Sequence, residues 1–258
     1  VAIVYLGEAV PLPNSQKEKS MSLRKTTSAA MALALLLLTV AASAASADNT
    51  RNYRITITNL TEAQWFTPAA VATHRGATDL FRLGETASLG VKEIAENGNL
   101  APMVELFASD SHIWDSEVVK AASGPPPIAP DGSVTFEISS ANGARFFSWV
   151  SMLICTNDGF TGLDSIKLPV GVGATATHFT AGYDAGTELN TEDWDDLVPP
   201  CAQLTGFGDQ GGTESSNPAL AEGGVVNMHG GITGDGDLVP SVHGWVNPVA
   251  SVEITRIS

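Results

Sequence analysis

Positive charge is the scarcest property of this sequence. Thirteen lysines and arginines face 28 aspartates and glutamates, for a net charge of −15. A surface of that sign repels phosphate backbones, which argues against a nucleic-acid partner and in favour of divalent cations. Cysteine is almost missing: Cys155 and Cys201 are the pair present, enough for one disulfide, and neither sits in a catalytic signature. Five histidines, His74, His112, His178, His229 and His243, are scattered without an HExxH or other paired spacing, so a zinc site has no framework. No GxSxG elbow occurs, which removes the usual serine-hydrolase motif. Beyond the N-terminal region no apolar run is long enough to cross a membrane.

What is present begins with an export signal. Arg24 and Lys25 precede the apolar run Met31 to Val40, and Ala42-Ser43-Ala44 and Ala45-Ser46-Ala47 both suit a signal peptidase. A spanning helix needs about 20 apolar residues, so cleavage fits better than an uncleaved anchor. The expected division is therefore 1–20 as an extension outside the fold, 21–47 as signal peptide and 48–258 as one domain. The basic residues Lys17, Lys19, Arg24 and Lys25 fall in the removed part, so the mature chain is more acidic still. Its destination is secreted or periplasmic. In that setting an even cysteine count predicts a disulfide between Cys155 and Cys201, two free buried thiols being the alternative.

The mature part reads as strands separated by turns. Arg51 to Thr58 alternates, with Tyr53, Ile55 and Ile57 on one face. Asn59-Leu60-Thr61 follows as a turn and is also a glycosylation sequon. Thr67 to His74 suits an edge strand because of Pro68. Glu85 to Glu96 has helical spacing and stops at Asn97-Gly98, while Leu100 to Phe107 fits a helix or a strand. Gly124 to Pro127 is a stiff connection. Ser133 to Ser139 alternates, and Arg145 to Ile154 is apolar on both faces, as a central strand should be. Ile166 to Pro169, Thr175 to Tyr183 and Ala250 to Ile257 complete the set. The glycine-rich stretch Gly206 to Asp237 predicts a long, partly ordered loop. The fold class is all-β, an antiparallel β-sandwich, with short helices capping one end.

Chemistry concentrates after the central strand. One acidic turn runs Asn157-Asp158-Gly159 to Gly162-Leu163-Asp164, and a second runs Asp184-Ala185-Gly186-Thr187-Glu188. Carboxylates on short glycine-containing loops are the environment that calcium prefers. Asp158, Asp184 and Glu188 are the candidate ligands for Ca2+, with backbone carbonyls and water completing the shell; local side-chain capping is the competing account of such turns. Asp164 and the pair Asp235 and Asp237 are weaker candidates, the latter reading as a turn. Asp193, Asp195 and Asp196 read as a solvated face.

The combination of Phe147-Ser148-Trp149-Val150-Ser151-Met152, the Asn157 to Asp164 loop and Asp184 to Glu188 resembles the spondin N-terminal domain family of extracellular matrix proteins. That resemblance spans about Tyr53 to Ile257 and implies a C2-like antiparallel sandwich whose loops hold calcium at one end. It assigns the ligand positions to Asp158, Asp184 and Glu188. Glutamate at 188 replaces the usual aspartate, and Gly159-Phe160 stands where an aromatic directly follows the aspartate in animal members. Without the thrombospondin-type repeats that accompany the domain in animals, the sequence resembles a bacterial single-domain secreted member, so matrix or integrin roles are not expected to transfer automatically. The expected function is an exported calcium-binding module for cell-surface or extracellular adhesion, contacting a protein or glycan, and not an enzyme. A hydrolase using Asp158 and Glu188 and a purely structural envelope protein are the alternatives.

Overall fold

The computed structural model of the chain describes residues 49–122, 126–208, 212 and 216–258. The expected extension 1–20, the signal segment 21–47 and the first part of the Gly124 to Pro127 connection lie outside them.

Alternation in sequence becomes burial in the first sheet. Strand β1 (Arg51–Asn59) turns Tyr53, Ile55 and Ile57 inward and leaves Arg54 exposed. Strands β4 (Ser133–Ser140) and β10 (Ala250–Arg256) flank it, and β7 (Thr175–Thr180) lies beyond β10, all antiparallel. Ile55 stands opposite both Phe136 and Ile254, so the register puts apolar side chains on the inner face. Each isoleucine so buried contributes about 1.5–3 kcal/mol of transfer free energy.

The second sheet runs in the order β3, β2, β5, β6, β8, β9. Its strands are β2 (Ala69–His74), β3 (Ile113–Val119), β5 (Phe146–Met152), β6 (Gly159–Lys167), β8 (Gly182–Asp184) and β9 (Asn227–Met228). One face meets the first sheet through Ala69, Val71, Phe147 and Trp149. Helices α1 (Leu89–Asn97) and α2 (Ala101–Ser109) cover the other, packing Val91, Ile94, Met103 and Phe107 on Ala70, Ala72, Val150 and Met152. This second core explains why β5 is apolar on both sides. The helices thus lie on the outer face of the sheet rather than at an end of the sandwich. Ser88 caps α1 by accepting from the Val91 amide at 3.3 Å, and Gly98 ends it at φ 63°, a left-handed position that glycine adopts without strain.

Several expectations change in detail. Strand β2 is interior rather than an edge: it pairs with β3 and β5 and all six residues are buried. Pro68 precedes the strand, so its missing N–H breaks no ladder bond. Leu100 to Phe107 resolves as helix. The first acidic loop is shorter than expected, because β6 already begins at Gly159 and carries Asp164 within it. The glycine-rich stretch also supplies β9 to the sheet. Ala181 alone separates β7 in one sheet from β8 in the other.

Two covalent and polar ties fix the loops. Cys155 and Cys201 form the expected disulfide, joining the end of β5 to α3 (Pro200–Thr205) across 46 positions, with both residues fully buried. Asn59 of the sequon is buried and its amide is saturated. Its nitrogen donates to the carbonyls of Gln64 (2.7 Å) and Ile128 (3.2 Å), while its oxygen accepts from the amide and hydroxyl of Thr61.

Candidate functional site

The tight connection after β5 delivers Asp158 to the interior just before β6 begins. Asp158 Oδ2 accepts from the Thr187 amide (2.7 Å), the Glu188 amide (3.0 Å) and the Thr187 hydroxyl (3.2 Å). The Ala185 amide donates to the Asp158 carbonyl at 3.1 Å. Hence the two acidic segments predicted from the sequence are stitched together. Oδ1 of the same carboxylate is buried and accepts from nothing. Burial, reinforced by the charge of Asp184, pushes Asp158 up to about 7 against the pull of those amides.

Asp184 ends β8 and is half-buried. Its Oδ1 accepts from the Gly186 amide at 2.7 Å and its Oδ2 from the Asn190 side chain at 2.6 Å. Gly186 turns the chain at φ 67°, and a Cβ there would collide with the backbone of Val225. Glycine is therefore required for the turn. By contrast, Gly159 and Gly162 serve packing inside β6, where a Cβ would strike Thr156 and the Trp149 carbonyl.

Glu188 is buried, and its Oε1 accepts from the Asn217 amide at 2.8 Å. Burial pushes it up to about 7; the charges of Glu96, Asp158 and Asp196 add to this, and the Asn217 amide opposes it. Asp158, Asp184 and Glu188 thus share one electrostatic neighbourhood. Among the described residues, however, no three Asp, Glu, His or Cys side chains are gathered closely enough to hold one ion.

The remaining acidic candidates have structural partners. Asp164 Oδ1 accepts from the Leu80 amide (2.7 Å) and the Ser148 hydroxyl (3.2 Å) from within β6. Asp237 accepts from the Trp194 amide at 3.0 Å, and the neighbouring turn wraps Glu192. Oε1 of Glu192 accepts from the Thr233 amide (2.6 Å) and hydroxyl (3.0 Å), and Oε2 accepts from the Gly234 amide (2.8 Å). Burial works to raise Glu192, but those amides outweigh it and hold the carboxyl below its ordinary value. Asp193 and Asp195 are exposed as expected, whereas Asp196 accepts from Thr191 and Asn217. Sequence reasoning missed Glu96 altogether. It lies on α1 and carries a side chain only 1% exposed.

No helix among the described residues is long and apolar enough to cross a membrane. No curated protein matches the chain. A family model does match, that of the spondin N-terminal domain (Spondin_N), over residues 50–191. The matched span runs from β1 through β8 and contains Asp158, Asp184 and Glu188; β10, at the middle of the four-stranded sheet, lies beyond it. With two antiparallel sheets, a buried disulfide and that match over more than half its length, the chain belongs to the spondin N-terminal domain family.

Proposed function

We propose that this chain is an exported recognition module in which calcium orders the loops following β5 and β8. The observation that carries the reading is Asp158 Oδ1, a fully buried carboxylate oxygen without a donor, next to the charges of Asp184 and Glu188. Leaving such an atom unmatched costs several kcal/mol in general, and a hard cation is the partner an oxygen-only donor set suits best. Asp158 through Oδ1, Asp184 and Glu188 are the residues that would hold it, and the ion would supply charge neutralisation and loop order. Family membership and the disulfide support an extracellular setting. The contact surface is then the acidic loop end, and the partner a cell-surface or extracellular protein or glycan.

The deciding experiment is a melting curve with calcium and with excess chelator. The reading expects a calcium-dependent rise in melting temperature that Asp184→Ala abolishes; no shift at millimolar calcium overturns it.

One observation favours a catalytic alternative. Two buried carboxyls titrating at about 7 are what general acid–base chemistry uses. The family is a binding and structural one, which weighs against catalysis. A polysaccharide and ester panel assayed with wild type and Glu188→Gln distinguishes the two, since the binding reading expects no turnover from either.

A further inference from the structure

The few cations of this acidic chain are not spread evenly. Among the described residues, Arg54, Arg82 and Lys92 pair with carboxylates, and Arg256 donates to the carbonyls of Val170 and Ser258. No ion pair among those residues reaches Arg51, Arg75, Arg145, Lys167 or Lys120. The first four of these gather at one end of the sandwich. Arg51 opens β1 opposite Ser140, the last residue of β4. Arg75 follows His74, whose carbonyl accepts from the Arg145 amide at 3.0 Å. Lys167 ends β6 in register with Phe146. Lys120, by contrast, follows β3 at the other end.

A cavity of about 280 Å3 opens at that basic end, lined by Arg51, Arg145, Asn49, Ser140 and Asn142 among others. Its floor is the turn from β4 to β5, closed by the Ala144 amide donating to the Ala141 carbonyl at 2.9 Å. Asn142 and Gly143 both take left-handed angles there, 50° and 86°, the conformation for which Asn-Gly is the preferred pair. Arg75 braces the turn, its Nε donating to the Asn142 carbonyl at 3.1 Å. Carboxylates on the adjoining strands are engaged elsewhere: Glu137 with Arg54, and Asp115 with the amide and hydroxyl of Ser139. No carboxylate and no aromatic ring lines the cavity.

We propose that this cavity binds an oxyanion, the phosphate group of a phosphorylated saccharide. Two arginines left without counter-charges suit a tetrahedral oxyanion, because each guanidinium presents a planar fork of donors. The polar lining without an aromatic ring offers no platform for a base or a lipid tail, and the modest volume suits a sugar ring beside the phosphate. Strand β5 separates the cavity from the calcium loops, since Arg145 precedes it and Asp158 follows it. The site therefore needs no calcium, and it gives a chain that repels anions overall one end that attracts them.

The test is an amide-resolved NMR titration of the full chain in excess chelator. Inorganic phosphate, glucose 6-phosphate and glucose are the probes, and Arg51→Gln, Arg145→Gln and Lys120→Gln are the variants. Saturable shifts are expected at Arg51 and from Asn142 to Arg145 with both phosphates and not with glucose, the sugar phosphate binding more tightly. Arg51→Gln and Arg145→Gln should each weaken binding about tenfold, the loss of a hydrogen bond between charged groups, whereas Lys120→Gln should leave it unchanged. Melting curves confirm that each variant is folded. Equal affinity for both phosphates overturns the saccharide part of the proposal. Shifts that do not saturate, or that survive both arginine substitutions, overturn the site. Because calcium is absent throughout, either result leaves the calcium reading untouched, and failure of that reading leaves this one standing.

Discussion

Glu192 reaches across the chain to Thr233, accepting its amide at 2.6 Å and its hydroxyl at 3.0 Å. The glutamate holds a left-handed backbone angle of 59° to do so, a position disfavoured for side chains larger than glycine. In return, the Glu192 carbonyl accepts from Asp237 at 2.9 Å. This clasp fastens the glycine-rich segment to the loop beyond Glu188. Glu192→Ala should lower stability by about 2 kcal/mol or more, given the loss of hydrogen bonds to a charged acceptor. Hydrogen exchange should rise first at Thr233 and Gly234, and uniform protection there would show that the clasp is dispensable.

Asp158 does two jobs that substitution can separate. Asp158→Ala leaves the Thr187 and Glu188 amides buried without an acceptor, and a loss of about 2–4 kcal/mol follows. Asp158→Asn keeps one oxygen for those amides and puts a neutral group where Oδ1 stood. It should melt near wild type in chelator yet gain nothing from calcium. Thermal melts of both variants with and without calcium check the pair. An Asn variant that still responds to calcium would remove Asp158 from the ligand set.

Proton linkage gives a third expectation. Asp158 and Glu188 rise from ordinary values of 3.8 and 4.5 to about 7 in the folded chain. Between those limits the native state binds more protons than the unfolded state, so stability falls as pH increases. In chelator, the melting temperature should therefore decline from about pH 4 to about pH 7, beneath whatever other groups contribute. Calcium competes with those protons and should flatten the slope. A flat profile in chelator would contradict the raised carboxyls.

The disulfide encloses the three leading candidate ligands, since Asp158, Asp184 and Glu188 all lie between Cys155 and Cys201. Closing a loop of 46 residues restrains the unfolded chain by about 4 kcal/mol in the chain-entropy description. Replacing both cysteines by alanine should lower the melting temperature and weaken calcium affinity together. Retained affinity in the destabilised variant would show that the loops need the metal but not the bridge.

The parts of this fold that were legible are those whose pattern is local. Strands β1, β4 and β10 announce themselves by alternation, and β5 by being apolar on both faces. Strand β3 did not, because Trp114, Ser116, Glu117 and Val118 are exposed and leave little inward signal. Asp164 looked like part of a turn because glycine precedes it by two positions. Gly162 is there because the Trp149 carbonyl leaves no room for a Cβ. Glu96 was invisible for a different reason. Lys92 and Glu96, four residues apart on a helix, have the spacing of a solvent-facing pair, yet the Glu96 side chain is buried.

The buried amide of Asn59 has a bearing on how the protein can be produced. Its nitrogen is the atom an oligosaccharyltransferase would modify, yet in the folded chain it donates to two backbone carbonyls inside the core. A glycan attached there during translocation would have to be accommodated where no volume exists. Expression in a glycosylating eukaryotic host should then divide the product into a folded, unmodified fraction and a modified fraction that fails to fold. Asn59→Gln would not rescue the yield, because the longer side chain cannot span the same four contacts. Thr61→Val would give up the Thr61 hydroxyl's bonds to Asn59 and Gln64 as well. The choice of host is thus decided by one hydrogen-bonded side chain in the interior.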